Sequence, residues 1–366
     1  MIFPSVFAKG MLSHLSSNVK KILKMKNLKF DRVTRDGTVL VVDAQDPVFA
    51  SSAITLLTGV DRVAIAERAK KDPAALASAI ADVGSRLILS TERFMVKVEG
   101  DAKGFVPEDV ETAATSAIIE GGRSGVGPGT LQRHDKLIYA FLARSNAYIC
   151  IFVDECVDGL PYGAHKKTAV CCISDALSAV SCFETLRQGY RIRVAVCYGK
   201  RDDLIGLAKM INRIIPSVVS SDMEIDFFKV QSDGRYKSRV KTSLEIAQDL
   251  AGELGLNHIS LPVSPLIHSA GFVDSCIMDA VRNGFTPVVP LGGMTDDLFK
   301  TAREIGLAKY VGKIERLAGP MMGRSRESDD DHPSLAEAVV SRRRIRVQAG
   351  PNSIHNMLDS LEAKTQ

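Results

Sequence analysis

"TAVCCISDALSAVSCFETLRQGYRIRVAVCYG", residues 168–199, decides the reading of the fold. A short apolar run (168–173) is followed by a polar turn, an amphipathic stretch ending at Gly189, and a second apolar run (191–198). That order reads as strand, turn, helix, strand. A turn between a strand and a helix binds anions when glycines let backbone N–H groups come close to the ligand. Here the turn is Ile173-Ser174-Asp175-Ala176-Leu177-Ser178, with no glycine.

Downstream the same grammar repeats. "EIDFFKV", "HISLPV" and "TPVVPL" read as strands, and helices are expected to begin near Asp175, Asp203, Ser238, Gly271 and Thr295. Strict alternation implies a parallel sheet with helices on both faces. Ligands of such sheets bind beyond the carboxyl ends of the strands. That places Ser174 to Ser178, Gly199, Lys200 and the stretch Ser264 to Gly271 on the functional rim.

Upstream the pattern is different. "TVLVVDA", "DRVAIAE" and "RFMVKVE" read as strands. "DPVFASSAITLLTG" reads as a helix capped by Asp46, opened by Pro47 and closed by Gly59, and "DPAALASAIADVG" repeats this with Asp72, Pro73 and Gly84. "PEDVETAATSAIIEGG" is a third helix. "KLIYAFLA" and "AYICIFVD" form a hairpin across Arg144-Ser145-Asn146. Leu12, Leu15, Val19, Ile22 and Leu23 recur at helical spacing with lysines between them. The first half is thus a mixed α/β region, and residues 155–167 are a turn-rich hinge. In the tail, "GRSRESDDDHP" reads as a charged link. "SLAEAVVSRRRIRV", with Ser334 followed by Glu337, reads as a capped helix carrying Arg342, Arg343, Arg344 and Arg346.

The 366 residues, 45% hydrophobic and 25% charged, are too many for one core and ordinary for a globular protein of several domains. No apolar run is long enough to cross a bilayer and the first residues lack a signal-peptide core, so a cytoplasmic location is expected. The seven cysteines show neither C-x-x-C nor metal-ligand spacing, and read as small core hydrophobes; no metal site is expected. Net charge is only +4. Residues 1–35, however, hold Lys9, Lys20, Lys21, Lys24, Lys26, Lys29, Arg32 and Arg35 against the single acid Asp31, a front end suited to a polyanion.

The order of these segments resembles the tRNA 4-thiouridine synthase family, the ThiI type also known from thiamine biosynthesis. The likeness rests on "FPSVFAKG" with "NVKKILK", "LLTGVDRVAIAE", "FMVKVEGDAKGFVPEDVE", the entry "GLPYGAHKKTAVCCISDALSAVSCFETLRQGYRIRVAVCYG", and "PVVPLGGMTDDLFKTAREIGLAKYV". It implies an α/β multidomain chain: a ferredoxin-like segment at 1–60, a THUMP-like RNA-binding domain at 61–158, a doubly wound parallel-sheet domain of the PP-loop/HUP type at 159–322, and a charged linker with a C-terminal helix at 323–366. It implies tRNA as partner, contacted through Lys20, Lys21 and Lys24 and through Arg93, Lys97 and Lys103. A homodimer partner or a tRNA-modification enzyme belongs to the same expectation.

The chain departs from that family where chemistry is done. The family's pyrophosphatase loop, S-G-G-x-D-S, aligns with Ile173 to Ser178, and only Ser178 agrees. Ser174 and Asp175 replace the glycines and Leu177 replaces the aspartate. A carboxylate about 5 Å from a phosphate costs roughly 3 kcal/mol at an effective dielectric near 20, about two orders of magnitude in affinity. "LPVSPLIHSAG" stands where the family has T-G-E, and no cysteine occurs near Leu317-Ala318, where the sulfur-handling one is expected. Ser174, Asp175, Ser178, Gly199 and Lys200 therefore outline a degenerate nucleotide pocket with no catalytic residue assigned. The expectation is a tRNA-binding protein impaired in adenylation, in or beside tRNA thio-modification, needing no cofactor. The alternatives are an active tRNA sulfurtransferase using ATP and Mg with an atypical loop, and a non-enzymatic scaffold. A THUMP-linked methyltransferase fares worse, because no G-x-G loop follows the first parallel strand. Cys171, Cys172 and Cys182 could carry a persulfide but read better as core. His165 and His268 are expected to flank the rim.

Overall fold

The structure, a computed structural model, describes residues 1–6, 8–121, 126–231, 235–294, 297–307, 309–310, 312 and 338–348. The chain divides into two compact units, Met1–Gly159 and Leu160–Gln366.

The first unit contains, in chain order, β1 (Ile2–Pro4), α1 (Lys9–Met25), β2 (Phe30–Asp36), β3 (Val39–Ala44), α2 (Pro47–Ile54), β4 (Val60–Ala69), α3 (Pro73–Leu87), β5 (Arg93–Gly100), α4 (Pro107–Glu120), β6 (Gly127–Pro128), β7 (Lys136–Leu142) and β8 (Ala147–Glu155). All the strands join one sheet in the order β2-β3-β1-β4-β8-β7-β5-β6. β5 runs parallel to β6 and β7, and the remaining pairs are antiparallel. The stretches on either side of residue 60 therefore share a sheet through the pairing of β1 with β4.

Local signals work as read at several points. Asp46 Oδ1 accepts from the N–H groups of Val48 and Phe49 at 3.1 Å each, and Asp72 Oδ2 accepts from Ala75 at 2.9 Å. Each cap satisfies donors the helix itself leaves over. Gly84 does not close its helix. α3 runs on to Leu87, and a Cβ on Gly84 would meet Ile118 Cδ1 at 2.8 Å. Its smallness lets α3 lie against α4. β2 carries no alternating apolar signal because it is an edge strand whose side chains are mostly exposed. It is held instead by Asp36, whose carboxylate accepts from Ser145 N–H at 2.7 Å, Asn146 Nδ2 at 2.9 Å and Tyr148 Oη at 3.0 Å. Burial raises the Asp36 pKa, but these hydrogen bonds outweigh it and hold the group below the usual carboxylate value.

The second unit is doubly wound. It contains β9 (Thr168–Ile173), α5 (Ala176–Arg187), β10 (Arg191–Tyr198), α6 (Arg201–Ile214), β11 (Asp222–Val230), α7 (Tyr236–Glu253), β12 (His258–Ser260), α8 (Ala270–Arg282), β13 (Thr286–Val288), α9 (Asp297–Glu304) and β14 (Val339–Gln348). The sheet order is β13-β12-β9-β10-β11-β14, with the first five strands parallel. α7 and α8 cover one face over Val170, Cys172, Ala195, Cys197 and Phe228. The direction of winding reverses between β9 and β12, which makes their carboxyl ends the natural ligand crevice.

The tail corrects the sequence reading. Residues 339–348, expected as part of a C-terminal helix, are an edge strand antiparallel to β11. Ser334, Glu337 and the rest of the expected linker and helix lie outside the described residues. The period is two rather than helical: Ile345 and Val347 turn inward, and Arg342, Arg344 and Arg346 share the other face. Nor are these arginines a free basic cluster. Asp226, fully buried, takes Arg193 at 2.6 Å, Arg344 at 2.9 Å and Arg342 at 3.0 Å. Glu253 takes both Arg342 and Arg344, and Arg346 meets Asp222 and Glu224 at 3.4 and 3.5 Å.

Removing one partner of a buried ion pair leaves uncompensated charge and costs about 3–5 kcal/mol. Asp226→Ala is therefore expected to lower the unfolding free energy of the second unit by that amount, seen as a lower urea midpoint. Glu253→Ala, at the exposed rim of the same network, is expected to cost far less, because solvent screens its ion pairs. Urea unfolding of both variants checks this; equal costs would show that Asp226 does not anchor β14.

Candidate functional site

The loop after β9 is closed by its own atoms. Asp175, in extended conformation, caps α5, and its Oδ1 accepts from Ser178 N–H at 2.8 Å. The Ser178 hydroxyl accepts from the backbone N–H of Ser174 and of Asp175, both at 2.9 Å. Its own proton goes to Asp175, whose backbone oxygen and Oδ1 lie at 2.9 and 2.8 Å. A hydroxyl has one proton and two lone pairs, so Ser178 is saturated. The N–H groups of residues 174 and 175, which a glycine-rich loop would turn toward an anion, are spent inside the loop. Ser178 is 2% exposed and Ser174 9%, and the Ser174 hydroxyl has no hydrogen-bond partner among the described residues.

Beside this loop, at the carboxyl ends of β9 and β10, lies a cavity of about 310 Å³, at the small end of ligand pockets. Leu177, Leu207 and Met210 form its apolar part. Asp175, Asp202 and Asp203 set three carboxylates on it against the guanidinium of Arg239. Of the expected pocket residues, Ser174 and Asp175 line it. Ser178 sits behind them. Gly199 and Lys200 form the next turn, where Lys200 N–H donates to Asp203 Oδ2 at 3.1 Å. A Cβ on Gly199 would meet nothing nearer than 3.7 Å, so the turn does not require glycine for space. Sequence reasoning did not single out Arg239; its only local signal is a run of basic residues in a helix.

The two histidines part company. His268 lies by the rim, 3% exposed, with Nδ1 3.3 Å from Ser264 O and Nε2 without a partner among the described residues. Burial pushes its pKa below the usual histidine value, opposed by the hydrogen bond with the Ser264 backbone and by Asp175. His165, expected at the same rim, is instead at the amino edge: it precedes β9, and its ring lies 4.7 Å from Tyr190, which precedes β10.

The expected RNA-contacting residues are dispersed. Lys20, Lys21 and Lys24 are exposed on α1 with no carboxylate partner among the described residues. Arg93 opens β5 and Lys103 follows its end, so roughly 23 Å of strand separates them at the usual rise. Lys97, between them, is paired with Glu111 at 3.3 Å. The α1 lysines form a local group; the β5 residues do not.

The cysteines near the loop are packed. Cys171, Cys172 and Cys182 are each at most 3% exposed. The Cys197 thiol and burial together push Cys172 well above the usual thiol value, and Cys171 and burial do the same to Cys182. A thiol held protonated is a poor nucleophile and a poor sulfur carrier. Iodoacetamide at pH 8 is expected to leave Cys171, Cys172 and Cys182 unmodified in the native protein and to reach all seven cysteines after unfolding. Rapid native labelling of Cys172 or Cys182, read by mass spectrometry, would reinstate a persulfide role.

No family model and no curated protein matches the chain. Solved structures do. PH1313 from Pyrococcus horikoshii Ot3 superimposes with a TM-score of 0.62 at 14% identity, over 81% of this chain and 93% of that one. A 4-thiouridine synthetase, solved as an RNA complex with bound ATP, superimposes with a TM-score of 0.61 at 13% identity, over 94% of this chain and 97% of that one. At such identities the likeness is one of fold: the chain has the α/β multidomain architecture of a 4-thiouridine synthetase.

Proposed function

We propose that the protein binds tRNA, is related to the 4-thiouridine synthases, and acts in or beside tRNA thio-modification without adenylating its substrate. The observation that carries this reading is the saturated Ser178 hydroxyl, which takes up the N–H groups of Ser174 and Asp175. An arriving triphosphate would have to break these bonds and lie against the Asp175 carboxylate. The residues present do not suit ATP with its magnesium. RNA binding is supported by the exposed lysines of α1 and by the fold shared with a protein crystallised on RNA. Contact would be with phosphate and folded shape, since the chain has no tryptophan and only 6% aromatic residues.

A second reading, an active ATP-dependent tRNA sulfurtransferase, is favoured by the cavity that adjoins the closed loop. Calorimetry separates the two. No saturable ATP or AMP binding is expected in the micromolar range; clear binding there would establish the second reading.

Binding of tRNA is expected to weaken steeply as salt rises, because counterions are released from neutralised phosphates. Replacing Lys20, Lys21 and Lys24 together by alanine is expected to weaken it several-fold in fluorescence anisotropy. Unchanged affinity would move the interface off α1.

A further inference from the structure

At the start of α7 the sequence Arg235-Tyr236-Lys237-Ser238-Arg239-Val240-Lys241 sets four cations within the first turns, and the first turn holds no acid. A helix N-terminus is already the positive end of the macrodipole, so cations there oppose folding. Their presence calls for something other than helix stability.

The side chains of two of them are held in an unusual way. Arg239 lies over the ring of Tyr236, its Cζ 5.5 Å from the centroid. Tyr236 stacks on His268 at 5.6 Å and 17°, and His268 stacks on Phe272 at 5.3 Å and 16°. Lys237 closes the far end, its Nζ 5.6 Å over Phe272. Three stacked rings thus carry a cation at each end. Neither Lys237 nor Arg239 has an ion pair or side-chain hydrogen bond with the described residues. A cation attracted to a π face keeps its N–H groups for another acceptor. His268 is 3% exposed, and its Nε2 and the Tyr236 hydroxyl are buried with no hydrogen-bond partner among the described residues.

Charge decides what such a platform accepts. On the α5 and α6 side of the rim stand Asp175, Asp202 and Asp203, which line the same cavity as Arg239 and repel anions there, with Lys200 and Arg201 opening α6. On the α7 side stand the cations. An anion is therefore turned away from the loop after β9 and drawn to α7. We propose that Lys237 and Arg239, aligned by the Tyr236-His268-Phe272 stack, bind phosphodiester oxygens of an RNA strand crossing the carboxyl edge of the parallel sheet. This rests on the RNA-binding reading and adds to it a second contact region, on the unit that lacks the α1 lysines. With the N–H groups of Ser174, Asp175 and Ser178 taken up inside the loop after β9, a polymeric anion, held at several points, is the fitting partner rather than a mononucleotide.

The test uses the full chain and tRNA in anisotropy titrations across a range of salt. Lys237→Ala with Arg239→Ala is expected to weaken low-salt affinity about tenfold. It should also reduce the slope of log Kd against log salt by about 1.4, at about 0.7 per lost single-strand phosphate contact. Lys237→Arg with Arg239→Lys is expected to retain most of the slope, since charge is kept. Circular dichroism and the urea midpoint verify that the variants fold. Wild-type binding lost on α1 substitution but with an unaltered slope in the Lys237/Arg239 double variant overturns this assignment and leaves the RNA reading standing. Absence of any salt-dependent wild-type binding overturns both. Saturable binding of inorganic phosphate by calorimetry, abolished in the double alanine variant, would replace the strand by a small free anion. Competition by polyglutamate as effective as that by RNA would replace it by an acidic protein.

Discussion

A single hydroxyl governs what the carboxyl edge of the parallel sheet can do. Ser178 accepts two backbone N–H groups and donates back to Asp175, and so has no capacity left. The same contacts that give α5 a well-formed N-terminus take up the N–H groups of Ser174, Asp175 and Ser178, which a helix N-terminus following a parallel strand could otherwise offer to an anion. Capping and phosphate binding compete for the same donors. In this chain capping by side chains has won, and Asp175 adds a negative charge to the outcome.

Electrostatic character has moved rather than vanished. The cavity beside the loop is edged by Asp175, Asp202 and Asp203, while on α7 Lys237 and Arg239 lie against aromatic rings. Arg342, Arg344 and Arg346 of β14, part of what looks like the richest basic patch in the sequence, are consumed by Asp226, Glu224, Asp222 and Glu253. A run of like charges in a sequence is thus a poor guide to surface potential. In this chain Arg342 and Arg344 hold a strand in register, whereas Lys237 and Arg239 remain available because their partners are aromatic faces.

Much of the fold was legible in advance, for local reasons. The caps at Asp46 and Asp72, the hairpin across residues 144–146 and the alternation of strands and helices from residue 168 each rest on neighbours within a few positions. Misreadings occurred where a distant partner decides. Gly84 looked like a stop signal, but its role is to admit Ile118. β2 lacked an apolar alternation because it is an edge held by Asp36. His165 was placed at the wrong end of the strands because a loop residue carries no local mark of which edge it occupies.

The sequence by itself determined the α/β architecture, the loss of glycine from the loop after β9 and the basic character of α1, because periodicity, residue type and charge are properties of short stretches. Only the tertiary structure decided that Ser178 closes the loop, that residues 339–348 pair with β11, and that Tyr236, His268 and Phe272 stack between two cations. These depend on groups brought together from far apart in the chain, or on the direction in which a hydroxyl and two backbone N–H groups point. Neither is encoded in the identity of any one residue.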